Sequence, residues 1–278
     1  MWDGRLAEIP SIHHGDLTQE NFSKNLFKYG VVVINGIEST AEATETLCKQ
    51  LIPVHDTFFG QFWTFSNEAN ENEPVYEDTA YGNEEIGPHT DGTYFNQTPG
   101  IQVFHCLKPA KNGGETILVD SFHCASILKE SDPESFEVLA STKIEHHYLE
   151  GTPSGSVLNT VSHEKPVIEL DSYRNITQIR YNPYDRAPYR CLGKEEDARE
   201  AIRFYKAYEK FSRICHDPSN SVQISLQPGS VIFIDNFRVL HSRAEFQGHR
   251  QMCGCYLSRD NFYAKARPFL PEEIRRYV

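Results

Sequence analysis

SVQISLQPGSVIFIDNFRVLH, residues 221–241, carries the clearest β pattern in the chain. A strand-like run is followed by the turn residues Gln227-Pro228-Gly229 and then by a second run rich in valine and isoleucine. Further strand-like runs are VVVIN (31–35), IQVFHCL (101–107), ETILVD (115–120) and CGCYLS (253–258), and PVIEL (166–170) and ITQIRY (176–181) flank a turn typical of a hairpin. Many short strands with turn signals predict a β-sandwich or jelly roll decorated by a few helices.

Helices are predicted where apolar residues recur at spacings of three or four. The longest candidate runs from Lys194 to Cys215, and five of its residues are expected to face the core: Ile202, Tyr205, Tyr208, Phe211 and Cys215. Asp16 is expected to cap an earlier helix that ends at Gly30, and further helices are predicted at Ala41–Leu51, Ser121–Lys129 and Pro133–Ala140. Residues 58–85 show little periodicity and predict a long loop, a feature that often carries function.

The composition fits an ordered globular protein of 278 residues, with 39% hydrophobic, 24% charged and 12% aromatic side chains. Since no linker or repeat divides the sequence, a single domain over residues 1–278 is expected. The net charge of −12 argues against nucleic-acid binding. No run approaches the roughly 20 apolar residues needed to cross a bilayer. The seven scattered cysteines predict reduced thiols in an intracellular protein, and Cys253-Gly-Cys255 is interpreted as structural.

His89-Thr90-Asp91 places an imidazole and a carboxylate two residues apart, and on an extended strand this spacing puts both on one face. His241 lies just beyond a predicted strand. In a jelly roll, this strand can place His241 at the same open end of the barrel as His89 and Asp91, where it can act as a third ligand. Two histidines and one carboxylate leave open positions on an octahedral ion, as non-haem Fe(II) oxygenases require, although zinc accepts the same ligands. The motif alone is weak, because His14-Gly15-Asp16 also matches it.

An Fe(II) site of this type needs a co-substrate. A dicarboxylic keto acid that chelates the metal requires a buried cation, preferably arginine, for its far carboxylate. Arg250, nine residues after His241 and at the start of the run RQMCGCYLS, is placed for that role. Thr116 offers a hydroxyl to the same carboxylate, and Gly113-Gly114 allows a tight turn just before it.

Taken in order, six blocks resemble the Fe(II)- and 2-oxoglutarate-dependent dioxygenases of carnitine synthesis: HTDGTYF (89–95), IQVFHCLKP (101–109), GGETILVDSF (113–122), RYNPYDRA (180–187), VIFIDNFRVLHSR (231–243) and RQMCGCYLSRD (250–260). This similarity to the γ-butyrobetaine dioxygenase and TauD-like family extends from Phe59 to Arg267. It implies a mainly β fold, a cupin-like double-stranded β-helix (jelly roll) with helical decoration and with iron at its mouth. The family's N-terminal zinc-binding domain is expected to be absent, which leaves residues 1–278 as one catalytic domain.

The same resemblance assigns roles to individual residues. The implied metal ligands are His89, Asp91 and His241, and the implied 2-oxoglutarate contacts are Thr116 and Arg250. The family substrate carries a quaternary ammonium, which is held by the faces of aromatic rings. The residues at the positions of that cage are Phe59, Trp63, Tyr81 and Tyr256, and the expected partners of a substrate amino group are Asp78 and Asn182.

The activity that the resemblance implies is hydroxylation of N6-trimethyllysine at carbon 3, with Fe(II), 2-oxoglutarate and O₂, and with ascorbate as reductant. Two alternatives stay open: γ-butyrobetaine hydroxylation, and a catalytically inactive binding or dimerisation subunit. A structural zinc protein is disfavoured because the cysteines lack paired spacing. The expected partner is a small molecule with a trimethylammonium group, without nucleic acid or membrane, and a homodimer is left open. The resemblance implies the mitochondrial matrix, whereas the N-terminal residues show no leader, which favours the cytoplasm.

Overall fold

The structure, a computed structural model, describes residues 1–5, 8–67, 81–151, 157–190 and 195–275. The helices in these ranges are α1 (Gln19–Tyr29), α2 (Ala41–Leu51), α3 (Ser121–Ser131), α4 (Pro133–Ser141), α5 (Glu195–His216), α6 (Arg259–Ala266) and α7 (Glu272–Arg275). The strands are β1 (Ser11–His13), β2 (Val31–Asn35), β3 (Trp63–Ser66), β4 (Ile86–His89), β5 (Ile101–Lys108), β6 (Asn112–Gly113), β7 (Thr116–Asp120), β8 (Lys143–Ile144), β9 (His147–Gly151), β10 (Val157–Val161), β11 (Lys165–Pro166), β12 (Ile168–Leu170), β13 (Ile176–Ile179), β14 (Ser221–Ile224), β15 (Ser230–Asp235), β16 (Val239–Arg243), β17 (Phe246–Gln247) and β18 (Gln251–Leu257).

Two sheets form the core of the protein. The major sheet has six strands in the order β1-β2-β15-β5-β18-β3, and the minor sheet has four in the order β14-β7-β16-β4. β1 and β2 run parallel, and the other neighbours in both sheets are antiparallel. Apart from the β1-β2 pair, strands from the early and late parts of the chain alternate within each sheet, so most neighbours in space are distant in sequence. This arrangement is a double-stranded β-helix, and the predicted jelly roll is confirmed.

The packing of β15 shows how the layers are stacked. Side chains along a strand alternate between its two faces. Ile232 belongs to an apolar cluster that also contains Leu118 of β7, so this cluster fills the space between the two sheets. Phe233 points the other way and meets Phe22 of α1 edge to face, with ring centroids 5.0 Å apart. The outer face of the major sheet is thus covered by helices, including α1, α2 and α6.

The outer face of the minor sheet is covered by α3, α4 and α5. α5 lies where a helix was predicted, and three of the five residues expected to face the core, Tyr208, Phe211 and Cys215, are buried. Ile202 and Tyr205 are 55% and 39% exposed, whereas Phe204 and Ala207 are buried. The prediction that Ile202 and Tyr205 face the core is therefore wrong. Spacings of three or four fit two adjacent stripes of this helix, and packing against α3 and α4 selects the stripe that contains Phe204 and Tyr208.

The helix predicted after Asp16 begins later than expected. α1 starts at Gln19, and its N-cap is Thr18. The Thr18 hydroxyl accepts a hydrogen bond from the Asn21 backbone, and the Asn21 side chain accepts one from the Thr18 N–H. Asp16 lies in a short 3-10 turn, so the expectation that it caps α1 is wrong: the reciprocal pair satisfies two free donors at once. α1 ends as predicted at Gly30, which adopts a left-handed conformation with φ of 72°.

One strand lies inside the segment predicted to be a long loop. β3 pairs with β18 at the edge of the major sheet. Its four residues, Trp63–Ser66, are too few for an alternating pattern to be visible in the sequence. Residues 68–80 of this segment, which include Asp78, lie outside the described residues.

The cysteines of the described ranges are part of the protein core. The six cysteines in the described ranges are buried free thiols, as predicted, and Cys191 lies outside those ranges. Cys253 and Cys255 both lie within β18, which agrees with their structural interpretation.

Among the helices of the described ranges, none combines the length and the apolarity needed to cross a membrane.

Candidate active site

The three predicted metal ligands meet between two strands of the minor sheet. His89 is the last residue of β4, and His241 lies directly opposite it on β16. Asp91 follows β4 in a turn, so it does not continue the strand as expected from the spacing alone. The turn nevertheless brings its carboxylate to the two imidazoles: one ligand atom from each of the three residues lies within 4.8 Å of the others.

The hydrogen bond of His89 and the short distances within the triad show which atoms face one another. His89 Nδ1 donates to the Gly87 carbonyl at 2.8 Å, which leaves Nε2 facing the carboxylate. Asp91 Oδ1 lies 3.3 Å from His89 Nε2 and 3.7 Å from His241 Nε2. Two imidazole nitrogens and one carboxylate oxygen thus converge on one point, a donor set that fits Fe(II) and leaves positions for other ligands.

The charges of the triad also suit a metal ion. Burial opposes ionisation of Asp91, but His241, His89 and the Tyr256 hydroxyl outweigh it and hold the pKa of Asp91 at about 2. Burial and the neighbouring His89 lower the pKa of His241 to about 4. Burial opposes protonation of His89, but Asp91 and the Gly87 carbonyl raise its pKa overall. At neutral pH the site therefore holds an ionised carboxylate and a neutral His241, the forms that bind metals.

Asn236 holds the backbone of Asp91 in place. Its side-chain oxygen accepts a hydrogen bond from the Asp91 N–H at 2.8 Å. Its side-chain nitrogen donates to the Asp91 carbonyl at 2.9 Å and to the Pro99 carbonyl at 3.0 Å. No role was predicted for Asn236 from the sequence. The only local sign of this role is that Asn236 is buried and directly follows β15, because the backbone of Asp91 that it contacts is 145 positions away.

A cavity of about 370 Å³ opens beside the triad. This volume is within the range of small-molecule sites. Ten of the predicted site residues line it: Phe59, Trp63, Tyr81, His89, Asp91, Thr116, Asn182, His241, Arg250 and Tyr256. Asp78, the remaining predicted residue, lies outside the described residues.

Arg250 is a partly buried cation on the wall of this cavity. Burial lowers the pKa of its guanidinium, and its guanidinium carbon lies 5.6 Å from the centre of the Phe246 ring. None of the carboxylates in the described ranges forms an ion pair with it. Gly114, just before β7, adopts a left-handed conformation with φ of 78°, which favours glycine. A partly buried guanidinium that faces a cavity has the chemistry to bind an anion.

The aromatic residues around the cavity form two groups. Trp63 lies at the centre of the first, with ring centroids 5.8 Å from Tyr256 and 5.9 Å from Phe104. Tyr81 joins the same group through Phe65, at 6.0 Å. The second group, which includes Phe59, consists of Phe58, Phe59, Tyr94, Phe95 and Tyr148. Three of the four predicted cage residues are thus in one group and Phe59 is in the other.

The second group was not recognised in the sequence, apart from Phe59. Tyr148 comes from β9, and its ring lies 5.6 Å from Phe58 and 4.9 Å from Tyr94. No spacing in the sequence relates these residues, because β9 approaches the cavity only in the folded chain.

Asn182 is at the cavity but is occupied by local hydrogen bonds. Its nitrogen donates to the Thr90 carbonyl at 3.2 Å and to Asp185 Oδ2 at 2.6 Å. Its oxygen accepts from the backbones of Tyr184 and Asp185. Asp185, which the sequence analysis did not single out, also lines the cavity. Asn182 therefore orients a neighbouring carboxylate and has little capacity for a further ligand.

Comparison with known proteins identifies the family. A family model described as taurine catabolism dioxygenase TauD, TfdA family, matches residues 9–256. The chain belongs to this family. The TauD/TfdA match includes all of the ligand triad, the arginine and the aromatic groups described above, and it confirms the family resemblance of the sequence blocks.

Individual relatives are more specific. The trimethyllysine dioxygenase of Meyerozyma guilliermondii is 38% identical over 269 residues, covering 95% of this chain and 65% of the relative. The mitochondrial trimethyllysine dioxygenase of Mus musculus is 35% identical over 276 residues, covering 96% of this chain and 63% of the relative. This TauD/TfdA chain thus spans somewhat less than two thirds of the length of both relatives.

The solved structure of PvcB from Pseudomonas aeruginosa has a similar fold. It aligns with a TM-score of 0.59 and 19% identity, covering 90% of this chain and 84% of PvcB. A second structure of PvcB describes it as an Fe, alpha-ketoglutarate dependent oxygenase. At this identity the likeness concerns the fold, and it supports the jelly roll of this TauD/TfdA member.

Proposed function

We propose that this chain is an Fe(II)- and 2-oxoglutarate-dependent dioxygenase that hydroxylates N6-trimethyllysine at carbon 3. The observation that carries the proposal is the convergence of the His89, Asp91 and His241 ligand atoms at a cavity whose wall also holds the partly buried Arg250. A metal site, an anion site and aromatic surfaces in one cavity match the three components of such a reaction. The identity to two trimethyllysine dioxygenases supports the choice of substrate.

In this proposal His89, Asp91 and His241 hold Fe(II). When bound, Fe(II) with 2-oxoglutarate and O₂ supplies the oxidising chemistry that converts a C–H bond into C–OH, with ascorbate keeping the iron reduced. The protein residues fix the open face of the ion and exclude water from it. Hydrogen removal from carbon requires no general acid or base, so none is assigned.

Arg250 and Thr116 are proposed to bind the far carboxylate of 2-oxoglutarate. The Arg250 guanidinium is partly buried and has no carboxylate partner among the described residues, so a dianion entering the cavity supplies the missing counter-charge. Thr116 lies at the start of β7 on the cavity wall and offers a hydroxyl donor. Such a pair selects a dicarboxylate over a monocarboxylate keto acid.

Trp63, Tyr81 and Tyr256 are proposed to hold the trimethylammonium group. A quaternary ammonium has no N–H to donate, and the faces of aromatic rings attract it electrostatically. The three residues belong to the same aromatic group, and Tyr256 is beside the metal ligands. Phe59 is proposed to bound the cavity from the second aromatic group. The net charge of −12 favours the approach of a cationic substrate.

The α-amino group of trimethyllysine is proposed to meet a carboxylate. Asp78 remains one proposed partner. Asn182 is proposed to act through Asp185, whose carboxylate it orients at the cavity wall. An ammonium group is bound more strongly by a carboxylate than by an amide. γ-Butyrobetaine lacks this amino group, so Asp185→Asn should raise the KM for trimethyllysine and leave that for γ-butyrobetaine nearly unchanged.

The proposal is tested by reconstituting the protein anaerobically with Fe(II), 2-oxoglutarate and ascorbate, and then admitting O₂ with trimethyllysine or γ-butyrobetaine. Succinate and the mass of the amine product are followed. The expected result is one added oxygen on trimethyllysine, lost completely in the matched variant Asp91→Ala. Oxygen added to γ-butyrobetaine alone would replace the proposed substrate. Iron binding without product from either would indicate an inactive binding subunit.

We also propose a mitochondrial location and a single catalytic domain. The mouse relative is named as mitochondrial. Strands from both ends of the described chain pair in one sheet, β2 with β15 and β18 with β5, which supports one folding unit. Fractionation of the source cells tests the location, and one cooperative unfolding transition by calorimetry is expected for the single domain.

A further inference from the structure

Tyr256 lies between the metal site and the other rings of the first aromatic group, which includes Trp63 and Tyr81 and is called the aromatic wall below. Its ring meets Trp63 edge to face, with centroids 5.8 Å apart and planes at 69°. Its hydroxyl donates a hydrogen bond to Asp91 Oδ2 at 3.1 Å. Tyr256 is buried within β18, a central strand of the major sheet, so its position is fixed by the pairing of the sheet. One side chain therefore touches both the proposed substrate surface and a metal ligand.

The two oxygens of the Asp91 carboxylate have different neighbours. Oδ1 faces the imidazoles, 3.3 Å from His89 Nε2 and 3.7 Å from His241 Nε2. Oδ2 is on the Tyr256 side and accepts its hydroxyl. A carboxylate that gives one oxygen to a hydrogen-bond donor offers the other to an ion, and the donor fixes the rotation of the carboxylate group.

We propose that Tyr256 is a positioning residue that keeps Asp91 a one-oxygen metal ligand and couples the aromatic wall to the metal site. The first part rests on the geometry alone, and the second rests also on the proposed function. A cation against the ring face withdraws electron density from the phenol and makes its hydroxyl a stronger donor to Asp91. Substrate and metal should then strengthen the binding of one another to the same extent.

The first test measures metal affinity without substrate or 2-oxoglutarate. Protein stripped with a chelator is titrated with Mn(II), and free Mn(II) is followed by its electron paramagnetic resonance signal. Tyr256→Phe keeps the ring and removes only the hydroxyl, and loss of a hydrogen bond to a metal ligand weakens metal affinity by about 10- to 100-fold. The matched control is Tyr94→Phe, on the cavity wall in the second aromatic group.

The expected result is a loss of about tenfold or more in Mn(II) affinity for Tyr256→Phe and less than about twofold for Tyr94→Phe, with both variants folded and unfolding within about 4 °C of the parent protein. A merely structural role of Tyr256 would lower the unfolding temperature and leave the affinity of the folded protein unchanged. Parent-like Mn(II) affinity in folded Tyr256→Phe would overturn the proposal.

The second test measures coupling. The Mn(II) titration is repeated with saturating trimethyllysine, which should tighten Mn(II) binding in the parent protein and not in Tyr256→Phe. If trimethyllysine binds without changing the Mn(II) affinity of the parent, the coupling is overturned. If trimethyllysine does not bind at all, the proposed substrate is wrong, while the Mn(II) titration without substrate still decides the positioning role.

Discussion

Replacing Asn236 by alanine removes three hydrogen bonds that hold the turn carrying Asp91. Two of them join Asn236 to the N–H and the carbonyl of Asp91, and the third reaches Pro99. At about 1 kcal/mol for each bond, the expected loss in free energy of unfolding is about 3 kcal/mol. For a protein of this size that corresponds to a fall of about 6–12 °C in Tm. Mn(II) affinity should also fall, by about tenfold, because the ligand backbone is no longer fixed.

A second buried asparagine provides the control. Asn220 follows α5 and donates one side-chain hydrogen bond, to the Ile214 carbonyl at 3.0 Å. Asn220→Ala should therefore lose about 1 kcal/mol and about 2–4 °C in Tm, with Mn(II) affinity unchanged. Both variants are measured by calorimetry and by Mn(II) titration. If Asn236→Ala unfolds at the same temperature as Asn220→Ala and binds Mn(II) like the parent protein, the role assigned to Asn236 is refuted.

Three further predictions follow from the site and the core. Arg250→Gln should weaken 2-oxoglutarate binding about 100-fold or more without changing Mn(II) affinity, measured by calorimetric titration of the Mn(II) protein; equal loss of both affinities would contradict the assignment. Trp63→Leu should raise the KM for trimethyllysine by about 2- to 30-fold with little change in kcat, and an unchanged KM would remove Trp63 from the substrate surface. His105 is buried with a pKa lowered by burial from 6.5 to about 4, so below pH 6.5 protons bind the unfolded chain first and stability declines. Chelator-treated protein should lose Tm as the pH falls from 6.5 to 4, and His105→Gln should lose less; equal losses would contradict the argument.

Much of the secondary structure follows from local patterns in the sequence. α2 was predicted with its observed bounds, because apolar residues recur along Ala41–Leu51 and the helix has a local cap in Thr40. Local patterns do not decide where a helix begins when two suitable cap residues lie close together. Asp16 and Thr18 are both good caps, and the reciprocal bond with Asn21 selects Thr18. The exposed Ile202 could be recognised only from the helices that pack against α5.

The site shows the same division between local and distant information. His89 and Asp91 were found by their spacing, and Arg250 by the need for a buried cation. Asn236 was missed because its role is visible only when its strand meets the turn after β4. Asp185 was missed because its position depends on the hydrogen bonds of Asn182, which no spacing rule describes. Interactions between strands that are distant in sequence are therefore the part that the sequence alone did not supply.

The alternation of early and late strands in both sheets has a consequence for the order of events during synthesis. Asp91 and the Asn236 side chain that fixes it are 145 positions apart, and a ribosome that adds about 5–20 residues per second needs roughly 7–30 s to cover that distance. Throughout this interval the nascent chain carries His89 and Asp91 without β16, the strand that brings the second histidine. The proposed metal site is complete only after translation has passed His241, so iron binding at it cannot guide the first steps of folding.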